Sequence, residues 1–184
     1  LAYVVLANHD RVRFHLLGAR SSATPFFRGR HRIIDLIGFL SKVSPTGPLE
    51  LGPALGEHLR KLRRPGKAIL ISDFLTPAPS YQRGLNLLRA FNLDIAVIQI
   101  LSRQEVDPPF PRGSLAVADC ESGVMARLQW NRPVAAEYHR RLERHNRELK
   151  SFCHQAGIRY SVFFTDRELS GYVLETLPAI GLFK

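Results

Sequence analysis

Nine residues, Lys67-Ala-Ile-Leu-Ile-Ser-Asp-Phe-Leu75, constrain the fold of this chain more than any others. Ala68 to Ile71 form a fully apolar run, too short for a helix, with Pro65-Gly66 bounding it on the N-terminal side. Such a run reads as a strand of a parallel sheet, covered on both faces. Ser72 and Asp73 stand where the strand ends, and Pro77 and Pro79 mark the loop beyond. In open α/β sheets, ligands bind in the crevice outside the carboxyl ends of the strands. Asp73 is the one carboxylate that position alone singles out. A plainer role also fits that position, in which Asp73 caps a turn or the next helix by accepting a backbone N–H.

The flanking segments alternate in kind. Val12–Leu17 reads as a strand ended by Gly18, and Thr24–Phe27 as a second, edge strand. From Arg30 to Val43 the residues Ile33, Ile34, Ile37, Leu40 and Val43 recur at the spacing of a helix face. Ser44-Pro45-Thr46-Gly47-Pro48 breaks that helix, and Leu49, Leu51, Leu55, Leu59 and Leu62 make another. After the 67–72 strand come a helix over Tyr81–Phe91 and a strand over Leu93–Leu101. Ser114–Ala118 and Val124–Leu128, joined through Glu121-Ser122-Gly123, predict a β-hairpin. Pro133 opens a long helix that Gly157 ends, followed by a strand over Arg159–Thr165 and a helix over Glu168–Leu177. Strands alternating with helices predict an α/β fold: a doubly wound, mainly parallel sheet with helices on both faces. Residues 1–184 read as one domain, with 104–130 a small β-hairpin insertion.

A chain of 184 residues can bury about 70% of its unfolded surface. No apolar run approaches the roughly 18 residues of a membrane span. Cys120 and Cys153 cannot make a disulfide framework, so a reducing, cytoplasmic location is expected. The chain opens on Leu1 inside an amphipathic pattern, from which an N-terminal truncation is expected. The formal net charge is +10. Residues 1–75 carry 12 Lys/Arg against 5 Asp/Glu, hence +7, a bias that favours anionic partners but says nothing of fold.

Several chemistries find no support. There is no phosphate-binding glycine loop, no G-x-G-x-x-G after a strand and no H-E-x-x-H. No G-x-S-x-G elbow is present, and Cys120, Cys153 and His154 match no standard zinc spacing. His145 lies in the apolar stripe of the long helix, where a hydrogen-bonded core histidine is expected. Two basic clusters stand out, Arg28, Arg30, His31, Arg32 and Arg60, Lys61, Arg63, Arg64. The second suits a helix C-terminus. The first precedes a helix, where the dipole disfavours cations, so it is the better candidate for an anionic partner.

The order of several short motifs resembles a known family. They are Asn8-His9-Asp10-Arg11-Val12, Arg28-Gly29-Arg30, Ser44-Pro45-Thr46-Gly47-Pro48-Leu49-Glu50-Leu51, Leu70-Ile71-Ser72-Asp73-Phe74, and Ile98-Gln99-Ile100-Leu101 leading to Glu105. The hairpin with Asp119, Glu121 and Gly123, the long basic helix and Phe164-Thr165-Asp166 complete the set. Together they resemble the family called domain of unknown function 58, whose core is similar to a von Willebrand factor type A domain. The resemblance implies a metal-ion-dependent adhesion site holding Mg²⁺ at the top of the sheet. Asp73 matches its last ligand. The threonine position falls on Leu49, which cannot ligate, with Glu50 beside it. The Asp-x-Ser-x-Ser element would lie upstream of Leu1, so a degenerate site and a domain lacking its first strand are expected.

The resemblance further implies a non-catalytic interaction module that works with a MoxR-type AAA+ ATPase in protein assembly or metal insertion. Its expected contact surface comprises Ser72, Asp73, Thr46 and Glu50, with Arg28, Arg30 and Arg32. The alternative is a nucleic-acid-binding protein using the basic N-terminal half, recognised by affinity that falls steeply with salt. A hydrolase built on Asp73 lacks an identifiable base, second carboxylate or oxyanion device.

Overall fold

In a computed structural model, residues 1–18, 22–44, 49–59, 66–119 and 123–183 are described. The chain begins with helix α1 (Ala2–Ala7) and turns at His9, whose φ is +60°. Strand β1 (Arg11–Val12) pairs antiparallel with β4 (Phe27–Arg28), and β2 (His15–Leu16) pairs with β3 (Ser22–Ala23). The expected strand over 12–17 is therefore interrupted. Between the two pairs, residues 13 and 14 face residues 24, 25 and 26, a one-residue bulge that accommodates Pro25, which has no N–H to donate. Phe14 and buried Thr24 hold the bulge together: Phe14 N donates to Thr24 Oγ1 at 3.0 Å and Thr24 N donates to Phe14 O at 3.0 Å. These strands pair with each other and stay out of the parallel sheet.

A 3₁₀ turn (Arg30–Arg32) leads into α2 (Ile33–Leu40). Of the apolar stripe predicted for this helix, Ile33 packs on the small core but Ile34 and Ile37 do not. Leu36 packs on Leu6 and Phe27, whereas Ile34 is 75% and Ile37 59% exposed. Helix α2 has apolar residues around most of its circumference, and periodicity alone could not say which of them would be covered. Helix α3 (Leu51–Leu59) buries Leu51, Leu55 and Leu59 as predicted; Leu62 and the Arg60–Arg64 cluster lie outside the described residues.

Next come β5 (Lys67–Ser72), α4 (Ala78–Ala90), β6 (Asp94–Leu101) and the short α5 (Arg103–Val106). Strands β7 (Gly113–Ala118) and β8 (Met125–Trp130) form the predicted hairpin, a separate two-stranded ribbon. Helix α6 (Arg132–Gln155) is capped by Asn131, whose Oδ1 accepts from Val134 N at 3.0 Å. Gly157 (φ +68°) ends that stretch in the left-handed conformation, and β9 (Arg159–Phe164) follows. The last helical stretch comprises α7 (Leu169–Gly171), a π turn (Tyr172–Thr176) and α8 (Leu177–Ala179).

The result is a mixed α/β fold built on a three-stranded parallel sheet in the order β5-β6-β9. The central strand β6 is buried on both faces, as a run that is apolar except for Gln99 requires. Leu70, Ile95 and Val97 belong to the larger core, formed with Leu51, Leu55, Tyr81, Leu85, Leu88 and Leu149 of α3, α4 and α6. The alternate residues Ile69, Ala96, Ile98 and Ile100 pack on the other face against Tyr172, Val173, Leu177 and Leu182. Among the described residues no strand pairs with the outer edge of β5, where Ile71 remains half exposed.

Helices α3 and α4 approach closely at Gly84. A Cβ there would lie 2.7 Å from Leu51 Cγ and 2.9 Å from Leu51 Cδ2. Gly84→Ala is expected to lower the unfolding free energy by about 1–2 kcal/mol, since overpacking costs roughly 1–3 kcal/mol and improved helix propensity returns up to about 1 kcal/mol. Urea denaturation checks it. An unchanged midpoint would mean that Leu51 swings aside freely.

Candidate functional site

The carboxyl ends of β5 and β6 are held by local hydrogen bonds and by a buried polar network beneath them. At the end of β5, Ser72 Oγ accepts from Phe74 N at 3.0 Å, and Asp73 Oδ1 accepts from Leu75 N at 3.1 Å. This is the side-chain turn that Asp and Ser form with the backbone two residues on. It holds Phe74 at φ +56°, a conformation that L residues rarely adopt. The Phe74 side chain points down into the core while Asp73 stays exposed. One Asp73 oxygen thus does the plain turn-capping work; the other makes no hydrogen bond among the described residues.

Beneath the loop lies Gln99, fully buried on β6. Its Nε2 donates to the Asp73 carbonyl at 2.9 Å and to Asn146 Oδ1 on α6 at 3.0 Å. Its Oε1 accepts from the Tyr160 hydroxyl of β9 at 2.5 Å. Burial, with smaller contributions from Cys153 and Tyr172, pushes the Tyr160 phenol well above its usual range, so it remains a donor. From the residue next to Asn146 on α6, His145 Nε2 donates to the Phe74 carbonyl at 2.7 Å. His145 is thus hydrogen-bonded as expected, and its bond secures the loop. Two elements, β6 and α6, thus hold two consecutive backbone carbonyls, and Tyr160 of β9 holds Gln99.

The loop after β6 is equally fixed. Ser102 and Glu105 form a capping box, with Glu105 N donating to Ser102 Oγ at 3.1 Å and Ser102 N to Glu105 Oε2 at 2.6 Å. The hydroxyl of Tyr138 on α6 donates to the Glu105 carbonyl. Thr165 N donates to Leu101 O at 3.0 Å, joining the end of β9 to β6.

The other predicted site residues are scattered. Glu50 is exposed just before α3, and Thr46 lies outside the described residues. Arg28 Nε donates to His9 O at 3.1 Å. Arg32 pairs with Asp35 at 2.9 Å and lies over the Phe27 ring. Arg30 is exposed in the 3₁₀ turn. No hydrogen bond or ion pair among the described residues joins these arginines to the Asp73 loop, and they flank a separate small core around Leu6, Phe27 and Leu36.

The described residues do not by themselves make a divalent-cation site. Mg²⁺ is bound through oxygen ligands in near-octahedral geometry. Here Asp73 spends an oxygen on the turn, Leu49 offers none, and no group of three or more His, Cys, Asp or Glu gathers among the described residues. Cys153 is no nucleophile either: burial pushes its thiol up to about 12. Sequence reading missed Gln99, Asn146 and Tyr160. The available signal was a single amide inside the apolar strand Ile95–Leu101.

Residues 1–148 match the family described as "Protein of unknown function DUF58", and the chain belongs to that family. It is 26% identical over 148 residues to uncharacterized protein MAV169 of Mycobacterium avium, covering 78% of this chain and 85% of that protein. It is 25% identical over 154 residues to uncharacterized protein Rv1480 of Mycobacterium tuberculosis, covering 82% of this chain but only 48% of the relative. Among solved structures, it is similar to a conserved hypothetical protein, BatB, from Bacteroides thetaiotaomicron, with a TM-score of 0.54 and 12% identity, covering 99% of this chain and 84% of that one. That likeness concerns the fold alone. No helix among the described residues is long and apolar enough to cross a membrane.

Proposed function

We propose that the chain is a von Willebrand factor type A-like interaction module, which presents the Ser72–Leu75 loop to a protein partner without performing a reaction itself. The observation that carries this reading is the support beneath the loop. Gln99 and His145 hold its backbone, Asn146 and Tyr160 hold the Gln99 amide, and Asp73 stays exposed. A pre-ordered loop loses little entropy on binding, the general route to affinity without a large interface. The partner we propose is a MoxR-type AAA+ ATPase in the cytoplasm, acting in protein assembly or metal insertion, with Asp73 as the residue left from a degenerate metal-ion-dependent adhesion site. Asp73 then meets a basic group on the partner.

Capture of the tagged protein from its own cells, followed by mass spectrometry, tests this. The wild type is expected to retain an AAA+ ATPase in near-stoichiometric amount, and Asp73→Arg to lose at least about 90% of it, because like charges at an interface cost several kcal/mol. Equal recovery by both would sink the reading. Arg28→Glu with Arg30→Glu is expected to leave ATPase capture unchanged. If instead those changes abolish recovery of nuclease-sensitive material and no ATPase is found, the basic surface is the functional one.

A further inference from the structure

Away from the Asp73 loop, two histidines meet that the proposed contact surface does not use. His15 lies on β2 and His58 in the last turn of α3. Their ring centres are 4.6 Å apart with planes at 75°. His58 is only 8% exposed. Nδ1 of His15 and Nε2 of His58 are both buried, and neither has a hydrogen-bond partner among the described residues. A buried polar atom left unpartnered costs roughly 1–3 kcal/mol, and folded interiors leave few of them. Two on touching rings call for something that satisfies both.

A divalent metal ion is a group of the right size. Two imidazoles on one first-row divalent ion, at about 2 Å per nitrogen–metal bond, hold their ring centres about 4.5–5 Å apart. The observed separation lies in that range. We propose that His15 Nδ1 and His58 Nε2 together bind a divalent transition-metal ion of the Zn²⁺, Ni²⁺ or Cu²⁺ class that imidazole prefers. Water completes the coordination, since no third His, Cys, Asp or Glu clusters with them among the described residues. Two protein ligands make an exchangeable site, unlike the four-ligand closed sites that hold structural zinc. The Arg13 guanidinium opposes a cation nearby, but it sits 4.2 Å from the centre of the Phe26 ring, an interaction that draws it onto that aromatic face. A bound ion ties the β2–β3 ribbon to α3, two elements from opposite ends of a long stretch of chain.

The test uses the whole metal-stripped chain and ZnCl₂ alone, followed through the histidine ring signals by NMR. His15 and His58 are expected to shift at lower Zn²⁺ than His9, His31, His139, His145 and His154. His15→Asn and His58→Gln are each expected to weaken the tightest Zn²⁺ event by about tenfold or more, and Zn²⁺ is expected to raise the melting temperature of the wild type only. If all seven rings respond together, or if both variants keep wild-type affinity, the proposal is wrong. Should either variant fail to fold, Cu²⁺ added to the wild type decides: selective paramagnetic broadening of the His15 and His58 signals supports the site, and uniform broadening overturns it.

Discussion

Phe74→Ala is expected to lower the unfolding free energy by about 3–5 kcal/mol, the range for deleting a buried aromatic ring. Phe74 is 1% exposed and packs edge-to-face on Tyr81, with ring centres 6.4 Å apart. Against a total stability of roughly 5–15 kcal/mol, this is among the most damaging single changes the chain can take. It also has a functional consequence. Phe74 is the apolar wedge that keeps the loop seated, and its left-handed backbone carries strain of roughly 1–2 kcal/mol, tolerated only while the surroundings hold it in place. Alanine keeps the strain and loses the wedge, so the Asp73 loop is expected to open and partner capture to fall with it. Urea denaturation followed by circular dichroism measures the first effect. A loss below about 1 kcal/mol would mean that the loop, and not the core, determines how Phe74 sits.

Gln99→Leu comes next, with an expected loss of about 2–4 kcal/mol. Leucine fills a similar volume but strips partners from the Asp73 carbonyl, the Asn146 amide and the Tyr160 hydroxyl at one stroke. Each buried group left unpaired costs roughly 1–3 kcal/mol, and the gain from an apolar side chain offsets part of the sum. The informative experiment is a double-mutant cycle with Asn146→Leu. Because the two amides bond each other, the double change is expected to cost about 1 kcal/mol or more less than the sum of the single changes. Strict additivity would show that they act independently. Hydrogen exchange at Leu75 N–H, bonded to Asp73, reads the same event at the loop and is expected to quicken in Gln99→Leu.

These two changes mark the boundary of what sequence reading could reach. The β5 and β6 strands and the Ser-Asp pair after β5 were legible, because short apolar runs with polar residues at their ends carry a local signature. Helix α3 was legible for the same reason: its leucines recur on one face, and that face is the buried one. Helix α2 was not. Its stripe of isoleucines has the right spacing, yet Ile34 and Ile37 face outward and Leu36 faces in. Periodicity reports that a helix has an apolar side; what covers that side depends on the neighbours. The split of the first predicted strand has a comparable cause, since the bulge that accommodates Pro25 exists only once residues 11–16 and 22–28 are paired.

For the candidate site the division is the same. Asp73 was found because a single position in a parallel strand, its carboxyl end, has a predictable fate. Its supporting network was not found, because Gln99 meets Asp73, Asn146 and Tyr160 across 26, 47 and 61 residues of chain. The same holds for His15 and His58, which have no local pattern in common. The sequence by itself determined the order of the longer helices and strands, the parallel character of the sheet and the place of Asp73, since each rests on spacing and hydrophobicity along a few consecutive residues. Only the tertiary structure decided which apolar faces are covered, which polar groups hold the loop and where two histidines meet, because those depend on burial and on contacts between residues that the chain keeps far apart.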